Sequence, residues 1–444
     1  MTEPLRNTLL FAFVAALIIG TGFVQDWNTA FVILNMGLIS AIMSLGVNLQ
    51  WGYAGLFNVG IMGFVAVGGL ATVIVSMPPT NAAWAAGGGG ILLSLFIGAC
   101  AIAAAIVAYG RMAAGRMRNL TVAGILIVGF FVYRWVFDPA ASAIESIDPA
   151  ATGYLGGINP GGAEHYKELG WLTIFAWPVG GLLAAGAAWF IGKAALGLRS
   201  DYLAIATLGI AEIILAVMKN EDWLVRGVKN VIGLPRPVPY EIDLQASATF
   251  VERAEAFGLE PTTASSLVVK MSYSVLFTIV LAILLVMAQL ALKSPWGRMM
   301  RAIRDNEVSA RAMGKNVTRR HLQIFILGSA VCGVAGAMMT TLDGQLVPSS
   351  YQPLRYTFLI WVMVIVGGSG NNWGAILGGF LIWFLWVQVE PIGHWAMGLI
   401  TSGMNESELK DHLLNSVAHI RLLTMGVVLL LVLRFSPRGL IPEK

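Results

Sequence analysis

This 444-residue chain is short of charge. Asp, Glu, Lys and Arg make up 12% of it, against 57% hydrophobic residues. Soluble domains carry about twice that share of charge, so a core built in water is excluded. The chain reads as an all-α, polytopic membrane protein. Cysteine is nearly absent: Cys100 and Cys332 both lie inside apolar runs, which argues against a disulfide framework and leaves them as small packing residues. No G-x-x-x-x-G-K-[ST] occurs, so the usual loop for cradling ATP phosphates is missing. The five histidines, His165, His321, His394, His412 and His419, show no metal-ligand spacing. No nucleophile–base pair stands out, so no enzymatic activity, cofactor or nucleic-acid partner is expected. A cleavable leader is not expected either. Arg6 is the only basic residue before the run Leu9–Val24, and no A-x-A exit follows it.

The charge that is present is unevenly placed. Lys293–Arg320 holds eight Lys/Arg against Asp305 and Glu307, a formal +6 in a chain whose total is +4. Apolar runs long enough to cross a bilayer flank it, Tyr273–Leu292 and Leu322–Leu342. A basic loop between two spans marks the cytoplasmic side. Spans are expected near 8–24, 29–49, 53–75, 91–109, 120–137, 171–192, 201–218, 273–292, 322–342, 356–367, 375–390 and 420–433, or about 10–12 crossings. Placing Lys293–Arg320 inside gives inner loops of +13 and outer loops of −8 by alternation, with both termini in the cytoplasm. The outer segment 219–271 is expected to be a loop, with a short amphipathic helix at Ala246–Phe257. Within the basic loop, Arg298–Met313 should be helical. Met299, Met300, Ile303, Val308 and Met313 can bury one face while Arg298, Arg301, Arg304 and Arg311 stay wet. Gly314 is the expected helix stop.

Two apolar stretches are interrupted. Tyr53–Val75 contains Gly55, Gly60, Gly63, Gly68 and Gly69, and Val366–Gly379 reads VGGSGNNWGAILGG. Ser369, Asn371 and Asn372 need partners at membrane depth. Interrupted segments in two halves of a transporter point to its pathway. For single glycines, such as Gly374 and Gly378, close helix packing is the competing reading. Glu212 is costly in the middle of DYLAIATLGIAEIILAV and is expected to face the bundle interior. It reads either as a translocation residue or as a structural hydrogen-bonding group.

Several motifs together resemble one family. SPWGRMMRAIRDNEVSARAMGKNV (Ser294–Val317) resembles the S-x-x-G-R-x-x-x-A-I-R-x-N-E-x-A-A-x-x-x-G signature of branched-chain amino acid permeases of the LivM type. NLQWGYAGLFNVG (Asn48–Gly60) and SDYLAIATLGIAEI (Ser200–Ile213) resemble family elements in the same order. So do VCGVAGAM (Val331–Met338) and VGGSGNNWGAILGG. The likeness covers roughly Leu38–Leu385 and fades after Trp395. Residues 108–169 look like an insertion. The resemblance implies a single permease domain over 1–444 with the type II-like architecture of an ABC importer permease. It assigns coupling to an ATPase to Arg298, Arg301, Arg304, Glu307, Ala310 and Gly314 in the cytoplasmic loop 293–320. From the interrupted segments and the mid-span acid, Gly55, Asn58, Gly60, Thr207, Glu212, Ser369, Gly370 and Asn371 are the expected pathway residues of this chain. The resemblance also implies partners: a second permease subunit, two cytoplasmic ATPase subunits and a periplasmic binding protein, around a chain set in the bacterial inner membrane. The expected cargo is a branched-chain or other hydrophobic amino acid. Urea, short amides or other amino acids are the alternative within the class, and an ion-coupled transporter using Glu212 is the alternative outside it.

Overall fold

A computed structural model describes residues 3–147, 153–402, 408, 410 and 415–443. His412 and part of the segment 391–419, expected to lie outside the membrane, fall outside the described residues. Among those described, nine helices are long and apolar enough to cross a membrane. They are Leu5–Val24, Trp27–Gly52, Asn81–Arg111, Arg116–Glu145, Gly170–Ala195, Ser200–Asn220, Pro261–Lys293, Val317–Asp343 and Asn372–Thr401. Two shorter apolar helices, Ile61–Ser76 and Pro353–Gly367, and the helix Val417–Phe435 complete the bundle. Every expected span falls on one of these twelve.

Several expected spans have different limits: Asn81–Arg111 starts well before 91, Arg116–Glu145 runs past 137, and Asn372–Thr401 carries Pro391 inside it and runs past 390. Pro261–Lys293 begins twelve residues before the expected start at 273, with Pro261 at its first turn, where a missing N–H costs nothing. Its 33 residues make a rod of about 50 Å, longer than the roughly 30 Å hydrocarbon core. The end of the 219–271 loop is therefore helix. The stretch 53–75 is no continuous span: residues 55–60 are non-helical and the helix starts at Ile61. The short amphipathic helix lies at Ala248–Ala256.

Glycine builds the centre. A Cβ on Gly68 would stand 1.9 Å from the Gly333 carbonyl oxygen, and one on Gly336 would stand 1.9 Å from that of Val65. Helices Ile61–Ser76 and Val317–Asp343 therefore touch backbone to backbone, which packing without a hydrophobic drive requires. A Cβ on Gly378 would meet the Met363 carbonyl oxygen at 1.9 Å, so this glycine packs helix against helix. At the rim, Asn81–Arg111 and Arg116–Glu145 pack mainly on each other, and their apolar faces are largely open to lipid. The peripheral unit thus begins well before residue 108. At the end opposite the basic loop, strands Val231–Ile232 and Gln345–Leu346 pair antiparallel and pin the segment 219–271 to the end of the helix Val317–Asp343.

Candidate coupling and translocation site

The first interruption is a controlled end of a helix. Trp27–Val47 runs into a π-helical turn, Asn48–Gly52, and Gly55 then takes a left-handed φ of +68°. Breaking a helix in a membrane frees backbone groups that must find partners. Buried Asn58 supplies one: its side-chain oxygen accepts from Gly60 N–H at 2.9 Å, while its amide donates to the Gln50 side chain at 2.9 Å. Gln50 donates onward to the Phe325 carbonyl and to Ser329. Val59 N–H donates to Thr207 Oγ at 3.1 Å, and a Cβ on Gly60 would lie 2.3 Å from the Thr207 carbonyl oxygen. Asn58, Gly60 and Thr207 are thus brought together, as the frame of the break.

The second interruption meets the first. Gly368 and Gly370 have φ of +120° and +79°, a region that favours glycine. Asn371 then caps the next helix by accepting from Trp373 N–H at 3.0 Å. Asn48 bridges the two breaks: its oxygen accepts from Gly370 N–H at 2.8 Å and its amide donates to Asn372 at 3.0 Å. A Cβ on Gly52 would fall 2.5 Å from Gly370 N. Ser369 lines the adjoining basic cavity.

The basic loop docks beneath both breaks. Pro295–Asp305 buries Gly297, Met300 and Ile303. It does not continue to Met313 as expected. Asn306 leaves helical geometry (φ −154°, ψ 97°), and its side chain accepts from Ser309 N–H to start a second helix, Glu307–Ala312. The apolar face splits with it: Val308 and Met313 are 78% and 80% exposed. Asn competes well for caps against helix interior, which is the physical reason for the break. Gly314 has φ +73° and no neighbour that a Cβ would meet, so its role is conformational. Arg298 is exposed, Ala310 half-buried, and Glu307 pairs with Arg311 on the surface. Arg301 and Arg298 line an open cavity of about 750 Å³ with Arg304, Arg438, Asp305 and Glu443.

Arg304 is not a wet orientation charge. It donates to the Gly52 carbonyl and to Glu443 at 2.8 Å. Burial would lower its pKa, but the hydrogen bond and charge of Glu443, with those of Asp305, leave it raised. Glu443 belongs to a segment that follows the last helix. There Leu440 and Ile441 N–H donate to the Val366 and Gly367 carbonyls at 2.9 Å each. These are end-of-helix acceptors otherwise left without donors. Asn371 donates to the Pro442 carbonyl at 3.1 Å. One strap therefore joins the basic loop to both breaks. Sequence reasoning missed Glu443, Asn48 and Gln50. The signal for the strap was the punctuated SPRGLIPE run after an apolar helix.

Glu212 departs from expectation. It is exposed beside Ile205 and Ile213, on the outer face of Ser200–Asn220. Thr207, five positions earlier, is buried; five residues turn about 140° on a helix. The two cannot line one path within this chain. Among the described residues no cluster of three or more His, Cys, Asp or Glu could hold a metal.

A bundle of apolar helices with paired breaks, sealed by asparagines and footed by a docked basic loop, is the build of a membrane permease. The chain belongs to the family described as the branched-chain amino acid transport system/permease component, whose model matches residues 112–433. That match extends beyond Trp395, where the motif likeness fades. The chain is 27% identical over 290 residues to the high-affinity branched-chain amino acid transport system permease protein LivM of Escherichia coli K12. The alignment covers 63% of this chain and 59% of that protein. A probable LivM of Methanocaldococcus jannaschii is 26% identical over 250 residues, 56% of this chain and 61% of the relative. The fructose import permease FrcC of Rhizobium meliloti is 27% identical over 94 residues, 20% of this chain and 26% of its own. The chain thus spans about three-fifths of the length of the LivM relatives it matches. No solved structure matches it.

Proposed function

We propose that this chain is the membrane-spanning permease subunit of an ATP-driven importer of branched-chain or other hydrophobic amino acids. The basic loop faces the cytoplasm of a bacterial inner membrane, and both termini lie on that side. A second permease completes the pathway, two ATPase subunits bind the loop, and a periplasmic binding protein delivers substrate. One observation carries the reading. Arg304, in the docked helix of the basic loop, is bonded at once to the first break through Gly52 and to the strap under the second through Glu443. A push on that helix by an ATP-hydrolysing partner therefore reaches both interruptions through short, polar, directional bonds. Differential docking in two partner states is the coupling that ATP-driven import needs.

The apolar groove beside the loop fits a partner. It has a volume of about 660 Å³ and is walled by Trp296, Met299, Ala310 and Met313, with Arg320 at its edge. Buried apolar anchors supply affinity and rim charges supply orientation. An ion-coupled mechanism finds no relay enclosed within this chain at Glu212, which is exposed on the outer face of its helix. The test is capture: assembly purified through a tag on this chain, from cells carrying its neighbouring genes, should bring down the ATPase subunits. Met313→Asp in the groove should lose them while the second permease stays bound. Retention of the ATPase subunits by Met313→Asp contradicts the docking assignment.

A further inference from the structure

A second cavity lies far from the basic loop. Its volume is about 210 Å³, and it sits among the helices Trp27–Val47, Ile61–Ser76, Val317–Asp343, Pro353–Gly367 and Asn372–Thr401. Five of its twelve lining residues are methionine: Met36, Met43, Met62, Met339 and Met363. The whole chain has 19 methionines in 444 residues, so the cavity is strongly enriched. Met43, Met62 and Met363 are buried and form the floor, while Asp343 and Ser350 are exposed and mark the mouth. Methionine is unbranched and polarisable, and it repacks around aliphatic groups of differing shape. An apolar cavity of about 150 Å³ takes a benzene ring, so this one has room for a branched four-carbon side chain and its α-carbon.

The mouth has the opposite character. Asp343 has no ion-pair partner among the described residues. Trp383 lines the same cavity, and its indole N–H has no acceptor there. A carboxylate above an apolar floor invites a cationic ligand group, which it holds by a charge-assisted hydrogen bond. An unpaired N–H calls for an acceptor. A zwitterion with an aliphatic side chain carries all three complements. A sugar or a small amide would leave its polar groups against thioethers, at a desolvation cost.

We propose that this cavity is an amino-acid recognition site contained in the single chain. Asp343 takes the α-ammonium group, and the methionine floor takes the branched side chain. The inference rests on the amino-acid reading above and adds to it the place and chemistry of recognition. The experiment uses the whole assembly without its binding protein, with Cys100→Ser to remove the exposed thiol. A thiol reporter is placed by Met339→Cys, and by Met36→Cys on a different helix. Leucine should slow alkylation of either reporter at least fivefold. 4-Methylpentanoate, which has the same side chain and no ammonium, should not. Adding Asp343→Asn should abolish the protection by leucine. Leucine uptake in vesicles is measured in parallel on the assembly without the reporters and with its binding protein added. Uptake without protection, or equal protection by the two compounds, overturns the recognition site and leaves the permease reading standing. No uptake of any amino acid together with no protection overturns both.

Discussion

Removing the Glu443 carboxylate, as Glu443→Ala, should loosen the strap without unfolding the bundle. The Arg304–Glu443 pair is 2.8 Å long, and its side chains are 24% and 28% exposed. Exposed pairs contribute about 0–1 kcal/mol, and breaking a fully buried one costs about 3–5 kcal/mol. A pair with a quarter of its surface wet lies between, at about 2 kcal/mol, in the range of a charge-assisted hydrogen bond. At 1.4 kcal/mol per factor of ten, the undocked fraction of the strap rises about 30-fold. Undocking frees the Leu440 and Ile441 amides from the Val366 and Gly367 carbonyls. Hydrogen exchange at those two amides should therefore speed up about 30-fold, as expected for a local opening. Arg298→Ala is the control. Among the described residues the Arg298 side chain bonds only to the Lys293 carbonyl, at 3.2 Å, so it should leave both amides unchanged. Unchanged exchange in Glu443→Ala, or a rise spread equally over the helix Pro353–Gly367, would refute the strap.

Other outcomes follow from the same geometry. Single cysteines at Ser309 and Ile242, both exposed at opposite ends of the bundle, should react with an impermeant thiol reagent from opposite sides of the membrane; labelling from one side contradicts the orientation. Gly314→Val places a β-branched residue at φ +73°, a strain of about 1–2 kcal/mol. It should weaken capture of the ATPase subunits while the chain still folds, and unaltered capture counts against a shaped helix end. Glu212→Gln should keep ATP-driven uptake, because the carboxyl faces out of the chain; an assembled but inactive variant would restore a carboxylate relay.

Span positions were readable because apolar runs leave a helix no other place to go. The two interruptions were readable too, since glycine and asparagine clusters cannot extend a lipid-facing helix. Three things escaped. The break at Asn306 lies inside a run with good helical periodicity, and only the competing cap by its side chain decides it. The outward turn of Glu212 depends on which face of Ser200–Asn220 meets the bundle. Periodicity could not settle this, because apolar residues surround that helix on all sides. The strap is a long-range pairing: Arg304 and Glu443 are 139 positions apart, and nothing local to either residue names its partner. The glycines divided physically. Gly68, Gly336 and Gly378 serve close helix approach, whereas Gly55, Gly368 and Gly370 serve positive φ at the breaks.

The central claim is that force from ATP hydrolysis elsewhere reaches this chain through its basic loop and opens a path for hydrophobic amino acids. It is tested most directly by leucine uptake into proteoliposomes holding this chain, the second permease, the ATPase subunits and the binding protein. The account predicts uptake that requires ATP on the loop side, persists when the proton gradient is collapsed, and fails in Glu443→Ala while ATP hydrolysis continues. Uptake driven by a proton or sodium gradient without ATP would contradict it.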